Sequence, residues 1–306
     1  MWFIFTLVTL FAWGSADLFY KEGAELHDKY SHLKTTMAVG FVMGISALLL
    51  LIKNDFNYDL RNLYIYLPVS AMYILSMVIG YLGLRYLELS ISSPIQNSSG
   101  AVCALLCVIF LKDRIEGLAL LGVCLISLGL ILLGILERID AKKLMLNNEK
   151  KYKIGFVAII FPFLYCIIDS LGTFFDAYYL DDHLTSPLKG VNENNLEDVA
   201  NISYEFTFFI ISLLIFIFLY LVKKEKRNVK MTEKRIFAAV FETLGQATYV
   251  YAMSSKAQIA APVISAYSIV SLVLSRIFLK EKLSLKHYLV IGLVILGIAI
   301  LGFTQG

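Results

Sequence analysis

Charge is scarce in this chain. Asp, Glu, Lys and Arg make up 17% of its 306 residues, against roughly 25% in a soluble domain. That shortage excludes a water-facing globule of this size. The net charge of +3 belongs to the loops and implies no nucleic-acid partner. Cysteine is scarce too: Cys103, Cys107, Cys124 and Cys166 all fall in apolar runs. Without a neighbouring His or a second thiol pair they read as small packing residues, so neither a disulfide framework nor a zinc site is expected. There is no phosphate-cradling glycine loop, no nucleotide motif and no long soluble segment. ATP-driven transport is not expected unless a partner supplies it, and no cofactor or metal is expected.

Long apolar runs fill the space that charge vacates. Hydrophobic residues reach 58% and the mean hydropathy is +0.74. Runs of about twenty such residues recur along the chain, the length that crosses a bilayer core. They are continuous rather than alternating, so they predict helices, not a barrel. Ten spans are expected, near 2–22, 31–53, 62–86, 91–111, 116–136, 153–180, 201–222, 235–254, 259–279 and 284–303. The first has neither a basic flank nor a small-residue cleavage site and reads as a retained helix. Lys and Arg concentrate in the odd-numbered loops, above all in Arg138–Lys153 and Lys223–Arg235. By the positive-inside rule this places both termini outside.

The chain also repeats itself. Residues 81–134 align without gaps on 249–302 at an offset of 168, with 15 of 54 pairs identical. Aliphatic identities mean little here. Tyr81/Tyr249, Pro94/Pro262, the turn Phe110-Leu111-Lys112-Asp113 against Phe278-Leu279-Lys280-Glu281, and the glycine pairs Gly129/Gly297 and Gly134/Gly302 mean more. Pro94 and Pro262 are expected in the first turn of spans 4 and 9, where a missing N–H costs little. Duplicated helix bundles are how many transporters build a central site between two halves.

Polar residues inside spans are the functional candidates, because a carboxylate at mid-bilayer costs about 2.5–3.5 kcal/mol and must face the bundle interior. Asp17 lies in span 1, Asp169 in span 6 and Glu242 in span 8. Trp13 precedes Asp17 by one helical turn, as Tyr165 precedes Asp169, so each pair shares a face. Glu242, Gln246 and Tyr249 make one stripe. With Tyr81, Gln96, Asn97 and Tyr267 they predict an aromatic cavity with carboxylates beside it, suited to an ammonium group. Asp169 and Glu242 are also candidate proton carriers. The competing reading makes these acids helix caps or bridges, and Asp176 and Glu205, near span ends, read as structural. Ser92–Gly100 is unusually polar for a span: it either offers hydroxyls and amides to a substrate or packs helices, with Gln96 and Asn97 bonding across them. Gly40 and Gly44, and the five-spaced glycines of spans 5 and 10, read as packing surfaces. Span centres hold no Lys or Arg; Arg85 and Arg276 sit near the ends. A phosphate-bearing substrate would call for a buried cation, so that class is disfavoured. His27, Asp28 and His32 form a partial cluster lacking a third ligand, and Asn201-Ile202-Ser203 fits a glycosylation sequon.

In Pro94 leading to Phe110-Leu111-Lys112-Asp113, then Gly117 and Gly122, and in Pro262 leading to Phe278-Leu279-Lys280-Glu281, then Gly292 and Gly297, the chain resembles the drug/metabolite transporter superfamily, EamA type. The acid of that turn is commonly Glu, and Asp113 departs from it. The resemblance implies an all-α integral membrane fold of ten transmembrane helices as two inverted five-helix repeats: residues 1–140, a basic linker 141–152, and residues 153–306. It implies transport of metabolites such as amino acids, amines or nucleotide sugars. Some eukaryotic relatives place both termini in the cytosol, against the charge pattern here. The expectation is a secondary transporter of a cationic or zwitterionic amine, a monomer or homodimer in the bacterial cytoplasmic membrane, working by alternating access and not as an enzyme. Two rivals stand beside it: a membrane enzyme acting on lipid-linked intermediates through His27, Asp28 and His32, and a non-transporting assembly protein.

Overall fold

A computed structural model describes residues 2–112, 115, 117–146, 158, 160–226, 228–281 and 284–305. Asp113 and residues 147–152 of the expected linker lie outside these. Among the described residues the only regular structure is helical. In chain order the helices are α1 (Trp2–Gly23), α2 (Ser31–Lys53), α3 (Arg61–Ile65), α4 (Leu67–Leu84), α5 (Leu89–Gln96), α6 (Ser99–Leu106), α7 (Gly117–Leu146), α8 (Ile160–Leu180), α9 (Leu196–Phe216), α10 (Val229–Ser265), α11 (Tyr267–Leu274) and α12 (Leu285–Gln305).

Eight described stretches are long and apolar enough to cross a membrane, and a shorter apolar helix covers Leu285–Leu301. One of the eight, Val229–Leu279, has 51 residues. As a straight helix it would run about 75 Å, more than twice a hydrocarbon core. It is not straight: Lys256 leaves helical geometry at φ −157°, ψ 64°. The expected loop between spans 8 and 9 is therefore a kink within one helical run. Span 3 is divided instead, at Tyr66 between α3 and α4.

Both copies of the repeat share a backbone design. In the first, α5 ends at Gln96, α6 follows, a π-helical turn spans Cys107–Leu111, and Lys112 stops it at φ 58°, ψ 27°. In the second, α11 follows the break at Ala266, a π-helical turn spans Ser275–Leu279, and Lys280 stops it at φ 58°, ψ 28°. The left-handed residue costs a non-glycine about 1–2 kcal/mol, and both copies accept that cost at the same register. Pro94 is the sixth residue of α5 and Pro262 the sixth after the Lys256 kink, so neither sits in a first turn. A proline there lacks its N–H and crowds the carbonyl one turn back. Each helix breaks within a few residues of it.

Helices pack in antiparallel pairs through small residues, as expected where lipid removes the hydrophobic drive for association. Gly40 and Gly44 of α2 lie against Phe208 and Phe209 of α9. Gly122 of α7 meets Leu301 of α12, while Gly297 of α12 meets Ile126 of α7. Helix α1 runs along α10 and α4 along α8. Outward positions hold Ile4, Phe11, Leu49 and Leu214, all more than half exposed. In water that surface would aggregate; in lipid it is solvated. The chain is an integral, multi-pass membrane protein.

Candidate functional site

The α1–α10 and α4–α8 pairs leave a cavity between them, completed by α5, α6, α9 and α11. Its walls contain all eleven residues expected from the sequence: Trp13, Asp17, Tyr81, Gln96, Asn97, Tyr165, Asp169, Glu242, Gln246, Tyr249 and Tyr267. The cavity volume is about 70 Å³, room for several waters.

Two notches carry the aromatic walls. Trp13 of α1 lies across Gly245 of α10, and Tyr165 of α8 lies across Gly80 of α4. A side chain at either glycine would displace the ring. Trp13 also donates from Nε1 to the Glu242 carbonyl at 3.2 Å and stacks on Tyr249, centroids 5.0 Å apart. Tyr267 meets the Trp13 edge at 5.7 Å. Tyr20 of α1 and Tyr81 of α4 meet with ring centroids 4.5 Å apart.

Hydroxyls hold the three carboxylates in place. Asp17 accepts from Ser93 at 2.6 Å and from Ser271 at 2.7 Å. Asp169 accepts from Ser99 at 2.7 Å and more weakly from Ser76 at 3.4 Å. Glu242 accepts from Tyr20 at 3.1 Å. Among the described lining residues there is no Lys, Arg or His. Gln96 and Asn97 donate to Ser92 and Ser93 of their own segment, and Asn97 also reaches Tyr267 of α11. The bridging serines are Ser93 and Ser99.

Other candidates separate from the cavity. Asp28 pairs with Lys34 at 2.8 Å and accepts from the Tyr30 N–H. Burial pushes its carboxyl up, but these partners outweigh it and hold it below the usual range. With Asp28 committed to Lys34, the His27–Asp28–His32 cluster has no carboxylate to spare. Asn201 is buried and accepts from Gln246 at 3.2 Å, which removes it as a glycosylation site. Cys103 and Cys107 are free thiols, 3.9 Å apart. Asp176 and Glu205, expected near interfaces, are fully buried. Glu205 accepts from Ser46 between α9 and α2, away from the cavity.

Several lining residues escaped the sequence reading: Tyr20, Tyr73, Met77, Thr173 and Tyr204. Tyr20 lies one helical turn beyond Asp17, as Thr173 does beyond Asp169, so the spacing that points to Trp13 and Tyr165 also reaches both. Nothing in the sequence distinguishes Tyr73 or Tyr204 from ordinary packing aromatics.

Charged side chains tie the ends of α1, α4 and α10 together. Lys21 donates to the carbonyls of Leu84, at 2.8 Å, and Leu87. Arg85 donates to those of Glu25, Leu26 and Lys29. Arg235 pairs with Glu25 at 2.9 Å. Glu281 accepts from the backbone N–H groups of Leu89 and Ser90, capping the start of α5 from the other half of the chain.

Comparison with known proteins agrees with this architecture. No curated protein matches the chain. A solved crystal structure of a protein aligns with a TM-score of 0.64 at 11% identity, covering 98% of this chain and 96% of that one. At that identity the likeness is one of fold alone. The profile of the EamA-like transporter family matches residues 1–135 and 194–303, most of the chain. A polytopic helical chain with this duplicated architecture, matched over both halves, therefore belongs to the EamA-like transporter family.

Proposed function

We propose that this protein moves a small cationic or zwitterionic amine, amino acids included, by alternating access around the central cavity. The observation that carries this reading is an imbalance of charge. Asp17, Asp169 and Glu242 line one small buried space, and no cation among the described lining residues answers them. Uncompensated charge in a low-dielectric interior is costly. An ammonium supplies the missing partner, and the faces of Trp13, Tyr165 and Tyr267 add about 0.5–2 kcal/mol of cation–π attraction. A phosphate or other dianion would meet repulsion. Protons on Asp169 and Glu242 offset the charge while the amine is absent, which makes proton exchange the natural coupling.

The frame for this mechanism is ten helices in two inverted halves, 1–140 and 153–306, joined by the 141–152 linker. Three observations support it. The Lys256 kink divides Val229–Leu279 into two crossings, and Leu285–Gln305 supplies another. The helix breaks, π turns and left-handed lysines recur at the offset of 168. The packing also respects an exchange of halves: α1 on α10 corresponds to α8 on α4, while α2–α9 and α7–α12 correspond to themselves. An odd number of crossings per half inverts the second half automatically. On the charge pattern both termini face outward from the bacterial cytoplasmic membrane.

The test is thermal stability of the purified protein against a panel of amines, amino acids, sugars and phosphates, alongside Asp169→Asn. A ligand at about 100 times its Kd stabilises by about 2.7 kcal/mol. The expected result is a raised melting temperature with an amine, lost in the variant. Stabilisation by an anionic or neutral solute, unaffected by Asp169→Asn, would overturn the reading.

A further inference from the structure

We infer that Asp176, which lies outside the cavity, is a proton site whose occupancy opposes amine binding. This rests on the cavity being an amine site. Asp176 is fully buried on α8, seven residues beyond Asp169 and hence on the same face. It does not line the cavity. One carboxylate oxygen accepts from the Tyr66 hydroxyl; the other makes no well-formed hydrogen bond in this arrangement. The hydroxyls of Tyr73 and Tyr249 lie beside the carboxyl group and meet each other at 2.6 Å. Both of these tyrosines line the cavity. They are the physical link between the acid and the substrate space.

The titratable groups facing Asp176 are Tyr66 and Tyr73 from the α3–α4 segment, Tyr204 from α9, Tyr249 from α10 and Cys103 from α6. None is a cation. A proton is the ligand this set favours: the neighbours are O–H donors turned towards a carboxylate, whereas a sodium ion would want oxygen acceptors on every side. The coupling follows from the direction of the hydroxyl chain. When Asp176 is ionised, the Tyr73–Tyr249 pair donates towards it and leaves phenol lone pairs facing the cavity, which attracts an ammonium. When Asp176 takes a proton from water, its own O–H donates to the pair. The phenol hydrogens then turn towards the cavity and repel the same ammonium. The proton that leaves Asp176 returns to water and the phenols end unchanged, so one proton opposes one amine. Linkage makes the effect reciprocal.

The test uses the full chain in liposomes with radiolabelled choline, a quaternary amine that carries no exchangeable ammonium proton. Two assays run in parallel: choline–choline exchange without a pH gradient, and choline accumulation driven by one. One-for-one exchange gives about tenfold accumulation per pH unit of gradient. Asp176→Asn, whose Oδ1 can still accept from the Tyr73–Tyr249 pair but which carries no exchangeable acid proton, should keep exchange within about threefold of wild type and accumulate about tenfold less choline per pH unit of gradient. Tyr66→Phe, which keeps the carboxylate but removes its donor, should keep accumulation with a displaced pH profile. Accumulation by Asp176→Asn equal to wild type would overturn the inference and leave the amine reading standing. Loss of exchange and accumulation together in both variants would make Asp176 structural and overturn it as well. Accumulation that follows a sodium gradient instead would assign the site to a metal ion and overturn the proton reading. Failure of wild type to exchange choline at all would fall on the amine reading itself.

Discussion

The segments Leu89–Leu111 and Ala257–Leu279 share a backbone and differ in chemistry. Each carries a proline, a break near its middle, a π turn and a left-handed lysine, all at an offset of 168. At the cavity, however, Gln96, Asn97 and Ser99 of the first stand where the second has Ile264, Ser265 and Tyr267. The hydroxyls are divided unequally as well. Asp17 takes one serine from each copy, Ser93 and Ser271, whereas Asp169 takes both of its own from the first half, Ser76 and Ser99. Duplication gave the two segments one backbone frame, and side-chain divergence gave the cavity one polar wall and one aromatic wall.

The sharpest way to break this comparison is at Gly100 and its counterpart Ser268. A Cβ at Gly100 would stand 2.6 Å from the Ala261 carbonyl, across the crossing of the two segments. Gly100→Leu should cost more than about 3 kcal/mol and lower the melting temperature accordingly. Ser268→Gly, at the matching position, should cost no more than about 1 kcal/mol. Equal losses at the two would mean the copies pack alike. Next comes the polar wall. Ser99→Ala removes a hydrogen bond to a carboxylate and should weaken choline binding about tenfold. Tyr267→Phe, its counterpart, keeps the ring and should change binding less than about threefold. The smallest effect tests the frame itself. Lys112→Gly and Lys280→Gly each relieve a left-handed backbone and should each stabilise by up to about 1 kcal/mol, adding in the double variant. A difference between them would mean that the two turns are not equivalent.

Much of this was legible in the sequence, for identifiable reasons. Asp17, Asp169 and Glu242 stood out because a carboxylate in an apolar run is costly wherever it faces lipid, so it marks the bundle interior. Their helical spacing pulled Trp13, Tyr165, Gln246 and Tyr249 along with them. Tyr73 and Tyr204 stayed hidden because a tyrosine in an apolar helix packs equally well in a core or at an interface. Asp176 sits four residues from the end of α8, where sequence position alone suggests water; the Tyr66 ring that covers it arrives from a distant segment. The Lys256 kink carries no glycine or proline of its own. Its signal was the alignment with Glu88, the extended residue ahead of α5, which becomes meaningful only once both copies are seen in three dimensions.

The central claim is that the cavity carboxylates answer the charge of an amine, and choline counterflow into liposomes tests it most directly. Wild type should exchange choline. The double variant Asp169→Asn/Glu242→Gln should lose that exchange, while Glu205→Gln, a buried acid that does not line the cavity, should keep it. Undiminished exchange by the double variant, or a wild type that passes over choline and exchanges an anion, would contradict the account.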